Sequence, residues 1–255
     1  MLPITKAIEK CMLPVGTRPV VDYVVRDCIA AGVSDIYFVV GEQSTQVQNY
    51  YRSNIQLNDY LLRQGKEDKL PLVAPIEGVK FHFIVQPAHG KYGTAVPVGL
   101  VNEYVEAGES VAVIMGDDFL YNQDGTNEIQ RLLDAATSGA AMIGVNVERD
   151  SVSKYGVLQL DGQGNYQKIV EKPSVEEAPS TLINISKYVL PKEAIEAAVS
   201  IPVNPNRGEY EITDVINQYV AGGGSVKVVE AQGEFLDCGS VEGWLYANNR
   251  IAAAS

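Results

Sequence analysis

Two aspartates, Asp117 and Asp118, follow the apolar run Val-Ala-Val-Ile-Met at 111–115, with Gly116 between. In an open α/β sheet, ligands bind beyond the carboxyl ends of strands. A carboxylate there, behind a glycine that lets a ligand approach, suits a magnesium ion bound to phosphates. A pair of solvated turn aspartates is the plainer alternative. A further aspartate, Asp237, stands in Glu-Phe-Leu-Asp-Cys-Gly at 234–239, between an apolar pair and a helix start. Alone it suits the N-cap of the last helix. If it meets Asp117 at one ion, the two make a magnesium site, because that ion takes one or two protein carboxylates and completes its shell with phosphates and water.

Other groups could serve the same chemistry. Lys172 ends the strand-like run Tyr-Gln-Lys-Ile-Val-Glu-Lys-Pro, where a lysine can neutralise a phosphate as a point charge; its neighbour Glu171 can accept hydrogen bonds from sugar hydroxyls. A surface ion pair closed by a turn proline is the alternative. Lys6 and Lys10, four apart near the front, would share one face if helical, and solvated lysines are the simpler reading. Gln86 follows the run Val-Lys-Phe-His-Phe-Ile-Val, and its amide matches one edge of a uracil or thymine ring. Gly90 and Gly93 would let backbone approach that base. The histidines, His82 in a strand and His89 in a loop, make weak catalysts. A phosphate monoester needs none: with a second pKa of about 6 it is already ionised at neutral pH, so alignment and charge neutralisation suffice.

Positioning these groups requires alternating strands and helices. Helical periodicity over 18–31 ends at Gly32, and a buried-strand pattern follows at 34–41. Residues 43–69 suggest one or two surface helices. Strands are expected at 79–85, 110–118 and 140–147, with helices at 93–108 and 127–139 between them. That order predicts a doubly wound, mostly parallel sheet. Beyond about 155 the pattern becomes a hairpin around 161–164, a strand at 181–190, two helices, a strand and a closing helix. The chain is expected to be one domain over 1–255, with a nucleotide-binding half over about 1–150 and a sugar-binding half over about 151–255. No P-loop or dinucleotide fingerprint occurs.

The 255 residues carry a formal net charge of -12. Such an acidic chain repels nucleic acid and anionic lipid, while a few local lysines and a divalent cation can still hold a small phosphorylated ligand. The three cysteines, Cys11, Cys28 and Cys238, lack disulfide or zinc spacing and fit a reducing cytosol. No run approaches the ~18 apolar residues of a membrane helix.

As an ordered set, LPITKAIEKCMLPV, RPVVDYVVRDCIAAGV, QPAHGKYGTAV, MGDD, KYGV, VEKP, RGEYEITD and LDCG resemble the bacterial UTP–glucose-1-phosphate uridylyltransferases, with glucose-1-phosphate thymidylyltransferases close behind. The resemblance covers nearly the whole chain. It implies a Rossmann-like, GT-A-like nucleotidyltransferase fold, a mixed and mostly parallel sheet flanked by helices, Mg2+ dependence and a cytoplasmic homo-oligomer. The implied substrates are UTP and glucose 1-phosphate, giving UDP-glucose and pyrophosphate. It also implies roles: Lys10 on the nucleotide phosphates, Gln86 and Gly93 at the base, Asp117 and Asp237 on the metal. Tyr155, Gly156, Glu171 and Asn184 would hold the sugar, with Lys172 on its phosphate.

Departures from the family pattern are local. Glu9 replaces the usual proline, Ser186 replaces the usual glycine, and RGEYEITD is closer to the thymidylyltransferase version, which would take dTTP. The family opens with a central strand running into a G-x-G-T-R-x-x-P loop whose backbone N–H groups cradle a triphosphate. Met1 falls just after that arginine. Gly16-Thr17-Arg18 lies in a later turn and is no substitute. The expectation is that this strand and loop precede Met1 in the natural protein. The alternative is a naturally short, non-catalytic relative that binds nucleotide or sugar phosphate, its sheet left with edges that need covering.

Overall fold

The computed structural model describes residues 1–137 and 139–254. Two single 3-10 turns, Ile4–Lys6 and Lys10–Met12, open the chain. Lys6 and Lys10 therefore occupy separate turns and do not share one helical face. β1 (Pro14–Val15) and β2 (Arg18–Pro19) pair around Gly16, whose φ is +59°. That pairing delays the first helix, α1 (Val20–Ala30), by two residues. α1 buries Val20, Val21, Val24, Val25 and Cys28 along one stripe. It stops where Gly32, at φ +85°, lets the Val33 N–H reach the Cys28 carbonyl at 3.0 Å.

β3 (Asp35–Gly41) pairs in parallel with β4 (Lys80–Gln86), Gly41 lying opposite Gln86 at their carboxyl ends. Between them come α2 (Gln46–Tyr51), α3 (Ile55–Arg63) and α4 (Leu70–Val73). The helix expected over 93–108 is shorter: α5 spans Ala95–Leu100, followed by a 3-10 turn at Asn102–Tyr104. Gly99 allows the Ala198 backbone close to α5, since a methyl there would lie 3.3 Å from the Ala198 carbonyl oxygen. The run at 110–118 also divides. β5 (Ser110–Ile114) ends before Met115-Gly116-Asp117, and Asp118 begins β6 (Asp118–Tyr121). The Asn127 side chain caps α6 (Glu128–Ala135), accepting from the Gln130 N–H at 2.9 Å.

The rest follows the order expected, with one strand added at 234–237. β7 (Ala140–Asn146) leads to the hairpin of β8 (Gly156–Leu160) and β9 (Tyr166–Glu171). β10 (Leu182–Pro191), α7 (Lys192–Ser200), α8 (Ile212–Ala221), β11 (Val226–Glu230), β12 (Glu234–Asp237) and α9 (Val241–Ala252) complete the chain. The sheet is mixed. β10 runs antiparallel to β5, β7 and β8, and β11 runs parallel to β7. The largest core cluster joins Ala95, Val98, Leu158, Tyr188, Ile195 and Ile216, drawing on both sides of residue 150.

Among the described residues, the strands β3 and β5, like β4, β9 and β11, are each paired on one side only. Here β3 pairs with β4 and β5 with β10. Yet both strands lie in one layer: Tyr37, Val39, Val111 and Val113 pack on the same core cluster, and Ile36 and Ile114 share the opposite one. Their apolar side chains are mostly half-buried, unlike those of β7 and β10. Amides on an unpaired edge are protected only by local structure. In native-state hydrogen exchange, the outward-facing amides of β3 and β5 will exchange at least about tenfold sooner than those of β7 and β10. Uniform protection across all four strands would contradict the open edges.

Candidate active site

The carboxylate pair is assembled by a short ladder. β6 and β12 run antiparallel with Asp118 opposite Asp237, so Asp117 lies one residue before the ladder and Asp237 ends it. Asp237 is held at both oxygens: the Tyr155 hydroxyl donates to Oδ2 at 3.0 Å and the Gly239 N–H donates to Oδ1 at 2.8 Å. It does not cap the last helix. That role belongs to Ser240, whose hydroxyl oxygen accepts from the Gly243 N–H at 3.0 Å. A methyl group on Gly239 would sit 2.9 Å from Asp237 Oδ1, 3.9 Å from Lys10 Nζ and 4.0 Å from Asp117 Oδ2. Two carboxylates and an ammonium thus lie around one point beside Gly239, where a methyl would crowd Asp237.

Lys10 lies 3.8 Å from Asp117, with both side chains well exposed. Such a pair contributes at most about 1 kcal/mol, so Lys10 can leave it for a phosphate at little cost. Its turn packs beside the aspartates, for a methyl on Gly116 would lie 3.6 Å from Cys11 Cβ. Glu9 has a clear local role. It accepts from the Ser44 hydroxyl at 2.7 Å and the Gln46 N–H at 3.0 Å, tying the first residues to the start of α2.

Asp118 is engaged elsewhere. Its Oδ1 pairs with Lys187, a lysine only 2% exposed. Burial raises the Asp118 carboxyl to about 6, against the lowering effect of Lys187. Nothing in the sequence singled out Lys187 except one cation within an apolar strand. Asp27 and Glu128 line a small cavity around the same lysine.

A second group gathers at the β8–β9 hairpin and β10. Gly156 lies opposite Glu171, and a methyl on it would be 2.9 Å from Glu171 Oε2 and 3.9 Å from Asn184 Cβ. Burial, followed by the charge of Glu211, raises the Glu171 carboxyl. Asn184 donates to the Tyr188 hydroxyl at 2.6 Å and accepts from the Ser186 N–H at 3.1 Å, spanning a register shift in β10. One amide N–H remains for a ligand. Ser186 takes φ +53° in that shift, a conformation glycine adopts more cheaply. Lys172, at φ +45°, is exposed, and its N–H donates to the Tyr155 carbonyl at 3.0 Å. Tyr155 therefore touches both groups. Burial and the Asp237 charge push its phenol up to about 12, which keeps it a donor.

Gln86 and Gly93 flank the β4–α5 connection. Gln86 makes no side-chain hydrogen bond among the described residues, and the Ala88 N–H beside it donates to Glu42 at 3.0 Å. Gly93, at φ +132°, packs so tightly that a methyl would come within 2.3 Å of the Tyr210 carbonyl oxygen. Neither histidine joins a site. His82 pairs with Asp35 at 3.0 Å and stacks on Tyr37, and His89 is exposed.

Comparison with known proteins identifies the family of the whole chain. The model of the nucleotidyl transferase family matches residues 1–254. A Methanocaldococcus jannaschii protein, provisionally named a UTP–glucose-1-phosphate uridylyltransferase, is 36% identical over 261 residues, covering 99% of this chain and 89% of its own length. The UTP–glucose-1-phosphate uridylyltransferase of Streptococcus pneumoniae is 32% identical, covering 85% of this chain and 74% of its own. Among solved structures, a UTP-bound UGPase from Acinetobacter baumannii superposes with a TM-score of 0.89 at 27% identity, covering 100% of this chain and 89% of that one.

Gly93→Ala will cost about 1–3 kcal/mol from the backbone conformation alone. The collision with Tyr210 adds to this, and thermal melting will fall by several degrees; an unchanged melting temperature would refute the close approach. A second expectation concerns pH. Burial raises the Asp27 carboxyl to about 6, which Lys187 only partly offsets. The folded chain then holds this proton more tightly than the unfolded chain, so the Asp27 contribution falls as pH rises from about 4 through about 6. Melts across that range, parent minus Asp27→Asn, will show this negative slope. A flat difference would contradict it.

Proposed function

We propose that the chain, which belongs to the nucleotidyl transferase family, joins UTP to glucose 1-phosphate and releases UDP-glucose and pyrophosphate. The observation that carries this reading is the convergence of Asp117, Asp237 and Lys10 on the space above Gly239. The named relatives and the structure of a UDP-glucose pyrophosphorylase complexed with UDP-glucose, at TM-score 0.83 and 26% identity, support the substrate pair.

The donor set suits Mg2+. No three metal-binding side chains cluster among the described residues. Two carboxylates are what a magnesium ion uses when phosphates and water fill the remaining positions. Asp117 and Asp237 would hold it, and when bound it supplies positive charge to the nucleotide phosphates.

The remaining chemistry belongs to the protein's own groups. The sugar-phosphate oxygen attacks the α-phosphorus of UTP in line. The new P–O bond forms as the bond to the β-phosphate oxygen breaks, and pyrophosphate leaves with that electron pair. No side chain has to take a proton, since the attacking phosphate is ionised near neutral pH. Lys172 stands on a constrained backbone at the mouth of the hairpin, where it neutralises the sugar phosphate. Lys10 moves from its weak pair with Asp117 to the nucleotide phosphates. Glu171, Asn184, Tyr155 and the Gly156 backbone hold the sugar, while Gln86 and the Gly93 loop meet the base edge. Residues on both sides of 150 work on one substrate pair within one domain. A cytosolic setting is consistent with three free cysteines.

The test is magnesium-dependent pyrophosphate release from UTP and glucose 1-phosphate. Asp237→Asn will lower kcat/KM at least about a hundredfold, the scale of losing a preorganised charge at a transition state. It will also raise the magnesium concentration needed for half activity. With dTTP in place of UTP, the parent will turn over more slowly. Activity that is indifferent to Asp237, or a preference for dTTP, would overturn the mechanism or the nucleotide assignment respectively.

A further inference from the structure

The segment 207–212 touches both substrate-facing groups at once. On one side it is stitched to the Gly93 loop. The Tyr210 N–H donates to the Tyr92 carbonyl at 2.9 Å, and the Ala95 N–H donates to the Tyr210 carbonyl at 2.9 Å. On the other side, the Arg207 guanidinium lies 3.9 Å from Glu171 Oε1. Glu211, only 6% exposed, ties the two sides together. Its Oε1 accepts from Arg207 Nε at 2.6 Å, and its Oε2 accepts from the Thr94 hydroxyl at 3.2 Å.

Thr94 precedes α5 but makes no side-chain cap to it. Its oxygen accepts instead from the Ile212 N–H at 3.0 Å, the first residue of α8. The hydroxyl thus serves a helix more than a hundred residues away. A buried carboxylate that accepts from a guanidinium and a hydroxyl together fixes both, because a charge taken out of water must keep its partners. Displacing Thr94 would disturb Glu211, and through Arg207 it would disturb Glu171.

We propose that Glu211 is a positioning residue that couples the base-facing loop at Gly93–Thr94 to the sugar-facing carboxylate of Glu171, so that filling either subsite tightens the other. This rests on the assignment of those subsites under the proposed function. A base seated on the 92–95 loop bears on Thr94. The constraint passes through Thr94 and Glu211 to Arg207, which then holds Glu171 for the incoming sugar. Reciprocity follows, since a coupling free energy acts equally in both directions.

The experiment is calorimetric binding of glucose 1-phosphate alone and with saturating uridine, which fills the base subsite and has no phosphoryl group to transfer. In the parent, uridine will tighten glucose 1-phosphate binding about fivefold or more, the lower range of such couplings. Glu211→Gln and Thr94→Val will each reduce the factor to below about twofold, and Thr94→Ser will restore it. A purely structural role would lower melting temperature or each affinity without removing the coupling. Coupling that persists in Glu211→Gln overturns the proposal, and so does a parent that binds both ligands independently. If Glu211→Gln does not fold, the Thr94→Val and Thr94→Ser pair decides alone. A parent that binds neither ligand counts against the substrate assignment itself.

Discussion

Two carboxylates of like charge have to be held side by side, and the arrangement of the site follows from that demand. Left free, Asp117 and Asp237 would repel each other and swing apart. The β6–β12 ladder prevents this by placing Asp118 opposite Asp237 across neighbouring strands. Donors offset their charge: the Gly239 N–H and the Tyr155 hydroxyl on Asp237, and the Lys10 ammonium beside Asp117. The third carboxylate of the neighbourhood, Asp118, turns to the buried Lys187 and leaves the pair to itself. A site so arranged is balanced until a cation and a phosphate replace the weaker local partners.

The supports around the pair are uneven, and the unevenness is informative. Asp237 has two short hydrogen bonds, whereas Lys10 has one long, solvent-screened ion pair. The carboxylate is fixed and the ammonium is free to move, which is the division that phosphate chemistry requires. Backbone strain is concentrated at the end of β9 and within β10, at Lys172 and Ser186, where each positive φ of a non-glycine residue costs about 1–3 kcal/mol. The Ser186 conformation is compensated in part by Asn184 and Tyr188, which close a small hydrogen-bonded ring over the register shift in β10. The open edges of β3 and β5 lie in the same layer as the strands that carry the site. Stability and ligand binding therefore depend on the same part of the sheet.

Much of this was legible in the sequence because it was written in local patterns. The alternation of strands and helices followed from hydrophobic periodicity, and Asp117 followed from a glycine-aspartate pair after an apolar run. Element ends were less legible. β2 shortened α1, and the approach of the Ala198 backbone at Gly99 accompanied an α5 much shorter than its apolar pattern suggested. Asp237 was locally ambiguous, since a helix cap and a ligand carboxylate look alike in sequence; the capping role proves to be that of the Ser240 hydroxyl. Lys187, Thr94 and Glu211 carried almost no signal. Their roles come from partners 69, 118 and 117 residues away, a separation that no periodicity encodes.

The claim on which the rest depends is that Asp117 and Asp237 share one divalent cation with the nucleotide. Counting bound Mn2+ by electron paramagnetic resonance, with UDP-glucose present, tests it directly. The structure predicts one tightly held ion per chain, lost in Asp117→Ala and in Asp237→Ala while both variants keep the parent's circular dichroism. A folded Asp117→Ala or Asp237→Ala protein that still holds that ion with undiminished affinity would contradict the account.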